Sequence, residues 1–219
     1  MGIPIINPNL WRLISPALPV GAFQYSQGLE QAIANGWVND TTTALNWIES
    51  LLRNSLQNVD LPILKLAYTS WVERDNAALE QVNAVCLACR ETSELRSEEV
   101  TMGLTLGHTL RELGEALPDK PLGFVATFAI ATANQNIPVE EASAGYAWSW
   151  CENQVLNAVK LVPLGHIQGQ KMLRSLGEKI SEVVQNAQNV TEEDIGRSAF
   201  GATIASSQHE TLNARLYRS

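Results

Sequence analysis

Apolar residues recur along this chain every three or four positions, and no stretch alternates in the two-residue manner of a half-buried strand. The spacing predicts helices almost throughout. Asn7-Pro8 reads as a helix start with proline at the first position, and Leu10, Leu13 and Ile14 share the face that follows. Ser15-Pro16 ends that piece, because a residue before proline is pushed out of the α region. Leu18 to Phe23 reads as a loop, and 27–35 as a short helix closed by Asn35-Gly36. Asp40, Asp60 and Asp75 each stand where an N-cap is wanted. The helices they would start carry inward stripes at Leu45, Ile48, Leu52 and Leu56, at Ile63, Leu64, Ala67, Tyr68 and Trp71, and at Leu79, Val82, Cys86 and Cys89. A long helix from about Ser93 carries Leu95, Met102, Leu106, Leu110 and Leu113, and Pro118 to Pro121 breaks it. The segment 121–135 is apolar nearly all round, the mark of a central helix. Pro138 starts the next helix, through Trp148, Trp150 and Leu156. Pro163 separates it from one with Ile167, Leu173, Leu176, Ile180 and Val184 inward, and Thr191 with Asp194 caps a last short turn. With no repeat and no linker-like tract, the expectation is one all-α domain over 1–219, a bundle of about ten helices without a β-sheet.

Charge adds a boundary that hydropathy does not show. The 219 residues carry a formal charge of −8, with 17% charged and 45% hydrophobic side chains. That balance is opposite to what counterion release on a phosphate backbone requires, so nucleic acid is not expected as a partner. Sparse charge together with six tryptophans points instead to apolar surface kept for protein contact. From Arg197 onward three arginines face one glutamate, a surplus of two that leaves −10 on the rest of the chain. This segment has a weak apolar face, and its end, 203–219, is expected to be a flexible, partner-binding tail. No apolar run reaches membrane-spanning length and no secretory signal is visible, so the cytoplasm is expected. The three cysteines make no disulfide framework.

Catalytic patterns are missing from the sequence. Cys86-Leu87-Ala88-Cys89 lies late in a helix with no second pair, and reads as small core residues. His108, His166 and His209 are too far apart to show metal-ligand spacing. Glu94, Glu98 and Glu99 read as a solvated helix face. There is no P-loop and no nucleophile elbow. A rival reading, an all-α enzyme or small-ligand binder, would place a pocket at Trp148, Trp150 and Cys151.

Three motifs carry a resemblance that spans essentially the whole chain. SPALPVGAFQYSQGLEQAIANGWV, from Ser15, resembles the N-terminal signature of the urease accessory protein UreF family. VPLGHIQGQKML, from Val162, is similar to that family's segment before its later long helix, with His166 where glutamine is expected. SSQHETLNARLYRS, from Ser206, is similar to the family's C-terminal end. The resemblance implies a non-enzymatic all-α scaffold in nickel-urease metallocentre assembly. It implies contacts with a UreD-type protein (UreH in some lineages), a UreG-type GTPase and urease apoprotein, and a homodimer. It implies no cofactor beyond nickel in transit. It places partner binding on Tyr25, Ser26, Gln27, Gly28, Glu30, His209, Glu210, Arg215, Tyr217 and Arg218. Two finer expectations follow: Arg215 anchors the tail, on the partner or against Tyr25, and Glu30 is a partner-facing or nickel-relay carboxylate rather than an ordinary helix-surface one.

Overall fold

Asn7 accepts a hydrogen bond from the Asn9 amide, and Pro8 follows it, so α1 (Pro8–Ile14) starts where the sequence predicts. A computed structural model describes residues 7–219. Ten α-helical segments and no strand are found among them. The others are α2 (Leu29–Ala34), α3 (Thr41–Leu51), α4 (Leu61–Val72), α5 (Asn76–Ala88), α6 (Ser93–Glu112), α7 (Phe124–Asn134), α8 (Val139–Leu161), α9 (His166–Gln188) and α10 (Phe200–His209).

Most of the expected caps form. Asp40 and Thr43 make a reciprocal capping box at α3, Asp75 accepts from the Ala78 amide at α5, and Thr92 accepts from the Leu95 amide at α6. Thr191 donates to Asp194 in a single 3-10 turn. Asp60 departs from its expected role: it lies in helical conformation and caps nothing. The chain runs without a break from α3 through a π-helical stretch, Leu52–Asp60, into α4. Pro62 accounts for the geometry, since it has no N–H for the Asn58 carbonyl and its ring would crowd that carbonyl in an ordinary helix. Widening to i→i+5 bonding, as from Leu61 N–H to the Leu56 carbonyl, relieves the clash, and the Asn58 side chain donates to the carbonyls of Arg53 and Asn54.

α7 is the core helix, with every residue from Val125 to Thr132 buried. It packs on α4 and α6, while α8 pairs with α9. Two glycines set close crossings. A Cβ at Gly103 of α6 would lie 2.3 Å from the Leu122 carbonyl oxygen, and one at Gly145 of α8 would lie 2.8 Å from the Leu10 side chain of α1. Some expected inward positions face out: Leu113 and Ile167 are largely exposed. Among the described residues no helix is long and apolar enough to cross a membrane. The segment read as a tail begins within α10, which packs on α2, so the C-terminal segment meets the N-terminal motif.

Candidate functional site

The meeting point is built on two left-handed residues. Gln27 (φ 53°) and Gly28 (φ 81°) turn the chain sharply, which is why α2 starts at Leu29 and not at Gln27. Gly28 is required on a second count: a Cβ there would lie 3.0 Å from the Ser206 backbone nitrogen of α10. The turn aims Gln27 inward. Its amide donates to Glu98 Oε1 at 2.8 Å and accepts from the Trp150 indole N–H at 2.8 Å. Tyr25 is buried, and its carbonyl accepts from Asn157 at 2.8 Å and Asn153 at 3.3 Å, fixing the loop to α8.

The final residues return over this turn. Ser26 donates from both its amide (2.9 Å) and its hydroxyl (2.7 Å) to the Ser219 carbonyl, and the Ser219 hydroxyl donates to Glu98 Oε2 at 2.7 Å. Glu30 accepts from the Leu216 amide at 2.9 Å and the Tyr217 amide at 3.0 Å. The Arg218 amide donates to the Gln24 carbonyl, with its side chain left exposed. His209 is wholly buried, with Nδ1 2.7 Å from Glu94 and Nε2 3.1 Å from Glu30. Both contacts are donated bonds only when the ring carries a proton on each nitrogen. Glu210 accepts from the amide and hydroxyl of Ser93 at the start of α6, and those bonds hold its carboxyl below the usual range. Burial, then the Glu30 charge, pushes the Tyr217 phenol up.

Nine of the ten sequence-assigned residues thus meet in one knot, and the tenth, Glu210, secures its edge. Two expectations change. Arg215 pairs with Glu94, not Tyr25, because the Tyr25 ring is committed to the core. Glu30, expected on a partner-facing or nickel-relay surface, is instead only 8% exposed and holds backbone amides of the C-terminal segment.

The glutamates read as a solvated face are the third correction. Glu98 and Glu99 are buried, and the Glu94 side chain is 11% exposed. Glu99 pairs with Arg90 at 2.8 Å and accepts from the Val125 amide at the start of α7. Arg90 reaches Asp60 at 2.6 Å, and the Tyr146 hydroxyl donates to the same carboxylate at 3.2 Å. Burial works against the Arg90 charge, yet the facing carboxylates hold its pKa above the ordinary value. Burial pushes the Glu98 carboxyl up to about 7, against the hydrogen bonds from Ser219 and Gln27. The signal for these inward glutamates was present, since 95, 98, 99 and 102 fall on one helical face with Leu95 and Met102.

A cavity of about 160 Å³ adjoins the knot. Buried Asp60, Glu98, Glu99, Phe128 and Tyr146 form its floor, and exposed Phe23, Leu156 and Glu91 mark its mouth. Of the rival reading's trio only Trp150 lines it: Trp148 packs toward Gly177 of α9, and Cys151 is buried, its thiol pushed up to about 12 by burial. Cys86 is buried in α5 and Cys89, the residue that caps its C-terminus, is half-buried, both thiols pushed up first by burial. No group of three or more histidine, cysteine or acidic side chains among the described residues is placed to hold a metal ion. His166 is exposed at the start of α9.

Comparison with known proteins agrees with the motifs. A UreF family profile matches residues 38–177, well over half of the chain. A urease accessory protein UreF from Alkalilimnicola ehrlichii is 41% identical over 216 residues, covering 96% of this chain and 95% of the relative. The UreF of Marinomonas sp. is 42% identical over 214 residues (96% and 93%), and that of Chromohalobacter salexigens 38% over 221 residues (99% and 96%). Near-full-length identity at this level, with both terminal motifs folded into one buried knot, establishes that the chain belongs to the UreF family.

Proposed function

We propose that this protein is a non-enzymatic scaffold in the assembly of the nickel centre of urease. In this reading it binds a UreD-type protein (UreH-type in some lineages), recruits or regulates a UreG-type GTPase, and acts as a homodimer in the cytoplasm during nickel delivery to apo-urease. Nickel passes in transit and is not a resident cofactor. The observation that carries the reading is the terminal knot. Two family motifs almost the whole chain apart converge there through buried hydrogen bonds, beside exposed Phe23, Phe200 and Leu216. Exposed aromatic and aliphatic side chains next to a rigid polar core are the composition of a protein-binding face. The cysteines lack the depressed thiol pKa that nucleophilic chemistry needs.

Co-expression with UreD-type and UreG-type proteins, followed by size exclusion, tests the reading. The expected result is co-elution of all three, with the UreF chain present in two copies. Elution of this chain as an isolated monomer, with both other proteins folded, would count against it.

A further inference from the structure

The cavity beside the knot has an unbalanced lining. Asp60, Glu91, Glu98, Glu99 and Glu152 are acidic, and Arg90 alone is basic. Arg90 is already shared by Asp60 and Glu99 on the floor. Glu98 is hydrogen-bonded only to neutral groups, Gln27 and Ser219. At the mouth Glu91 accepts only from Thr203, and Glu152 has no hydrogen bond or ion pair among the described residues. Glu152 is nevertheless partly desolvated, which pushes its carboxyl up. Phe23 and Leu156 at the mouth continue inward into an apolar strip of Leu18, Val20, Leu95 and the Trp150 ring, with neutral polar groups such as Ser149 and Asn153 beside it. Unpaired carboxylates spread along an apolar passage suit one kind of group, a long apolar stem ending in a delocalised or ammonium cation. They do not suit a bare divalent ion, since the carboxylates do not converge on a point. The volume of about 160 Å³ is close to the ~150 Å³ of an apolar cavity that admits benzene, enough for a side chain but not for a folded segment.

We infer that this cavity is a docking socket for an arginine or lysine side chain presented by a partner protein, its stem against Phe23, Leu156 and Trp150 and its head between Glu152 and Glu98. The inference rests on the scaffold reading and deepens it, by specifying the chemistry a partner brings. Trp150 links socket to knot, because its indole holds Gln27, which in turn holds Glu98. Filling the socket therefore bears on the same hydrogen-bond chain that anchors Ser219.

Two measurements test it. In the first, n-butylguanidinium stands in for the side chain and n-butanol for its stem, with the Trp150 indole N–H followed by NMR in the full chain. Saturable binding of the cation is expected, weakened at least tenfold in Glu152→Gln, a variant that breaks no hydrogen bond. Equal shifts with n-butanol, or no saturable shift, overturn the socket. In the second, Glu152→Arg supplies a cation from the protein itself, and binding to the UreD-type and UreG-type proteins is measured. At least tenfold weaker binding is expected. Wild-type chain that binds neither protein would refute the scaffold reading. Wild type and Glu152→Arg binding both partners equally well would refute the socket alone.

Discussion

Glu98 shows how one residue turns sequence-level polarity into a structural constraint. It lies fully inside, accepts from Gln27 and Ser219, and its pKa is raised by burial to about 7 from an ordinary 4.5. Below pH 4.5 both folded and unfolded chains carry the proton, and the residue costs nothing. Between 4.5 and 7 the unfolded chain ionises first, so the folded state binds more protons and stability falls as pH rises. Above 7 the penalty is complete, about 3 kcal/mol at 1.36 kcal/mol per pKa unit. Glu98→Gln removes the ionisation: its carbonyl oxygen can still accept from Gln27, while its NH2 donates to the Ser219 hydroxyl, which then accepts instead of donating. Urea unfolding at pH 5 and pH 8 should show the variant gaining about 2 kcal/mol on the wild type across that interval, since part of the penalty is already present at pH 5. A stability difference that does not change with pH would show that Glu98 stays charged, or stays neutral, throughout. The inward face of this residue was readable from its place on the Leu95 and Met102 stripe. Its partners were not, because Gln27 and Ser219 lie 71 and 121 residues away in sequence.

Among the elements, helices that begin on a local cap are the ones the sequence exposes best. Asp40, Asp75, Thr191 and Pro8 act within three residues of themselves, and each appears where the pattern predicts it. Asp60 misled because a cap and a buried ion-pair partner use the same side chain, and the deciding Arg90 lies 30 residues on. The π stretch was illegible for a related reason: a 3.6-residue stripe continues through it with little change, and only Pro62 hints that the bonding must widen. α10 was read as a weak tail because it is held by closeness and polar contacts, not by a hydrophobic stripe. Ala202, Ala205 and Ser206 approach Gly28 so closely that an added Cβ would lie 3.0 Å from the Ser206 nitrogen and push α10 away. Gly28→Ala should therefore cost about 2 kcal/mol, from positive φ and displacement of α10 together. Gly36→Ala is its control: φ is 74° but no atom lies within 4 Å of the added carbon, so about 1 kcal/mol is expected. Urea unfolding gives both costs, and hydrogen exchange should show faster opening of 202–209 only in the Gly28 variant. Equal effects at the two glycines would mean that α10 does not depend on that contact.

At the scale of the molecule, two regions closed by different forces share one chain. The α4, α6 and α7 core is closed by apolar packing around a helix buried from Val125 to Thr132. The terminal knot is closed by hydrogen bonds onto Glu30, Glu94 and Glu98, supplied by residues after Gln208 and, at Glu98, by Gln27 as well. Removing Asn213 to Ser219 strips the Leu216 and Tyr217 amides from Glu30, Arg215 from Glu94, and Ser219 from Glu98 and Ser26. Hydrogen bonds to charged groups are worth about 1.5–3 kcal/mol each, but water reaches the vacated carboxylates and returns most of that. A net loss of about 3 kcal/mol is expected. The loss should be local, because none of the deleted residues contributes a hydrogen bond to α7, and apolar burial sets the global stability. Hydrogen exchange on the truncated chain should thus show Ser26, Glu30 and the α10 amides opening freely while the α7 amides at Phe128 and Ile130 keep their protection. Binding to a UreD-type protein should fall in parallel with the lost protection at Ser26 and Glu30, since a released segment must pay its ordering entropy when it binds. If α7 loses protection together with the knot, the chain unfolds as one body, and a binding defect on truncation would report stability instead of recognition.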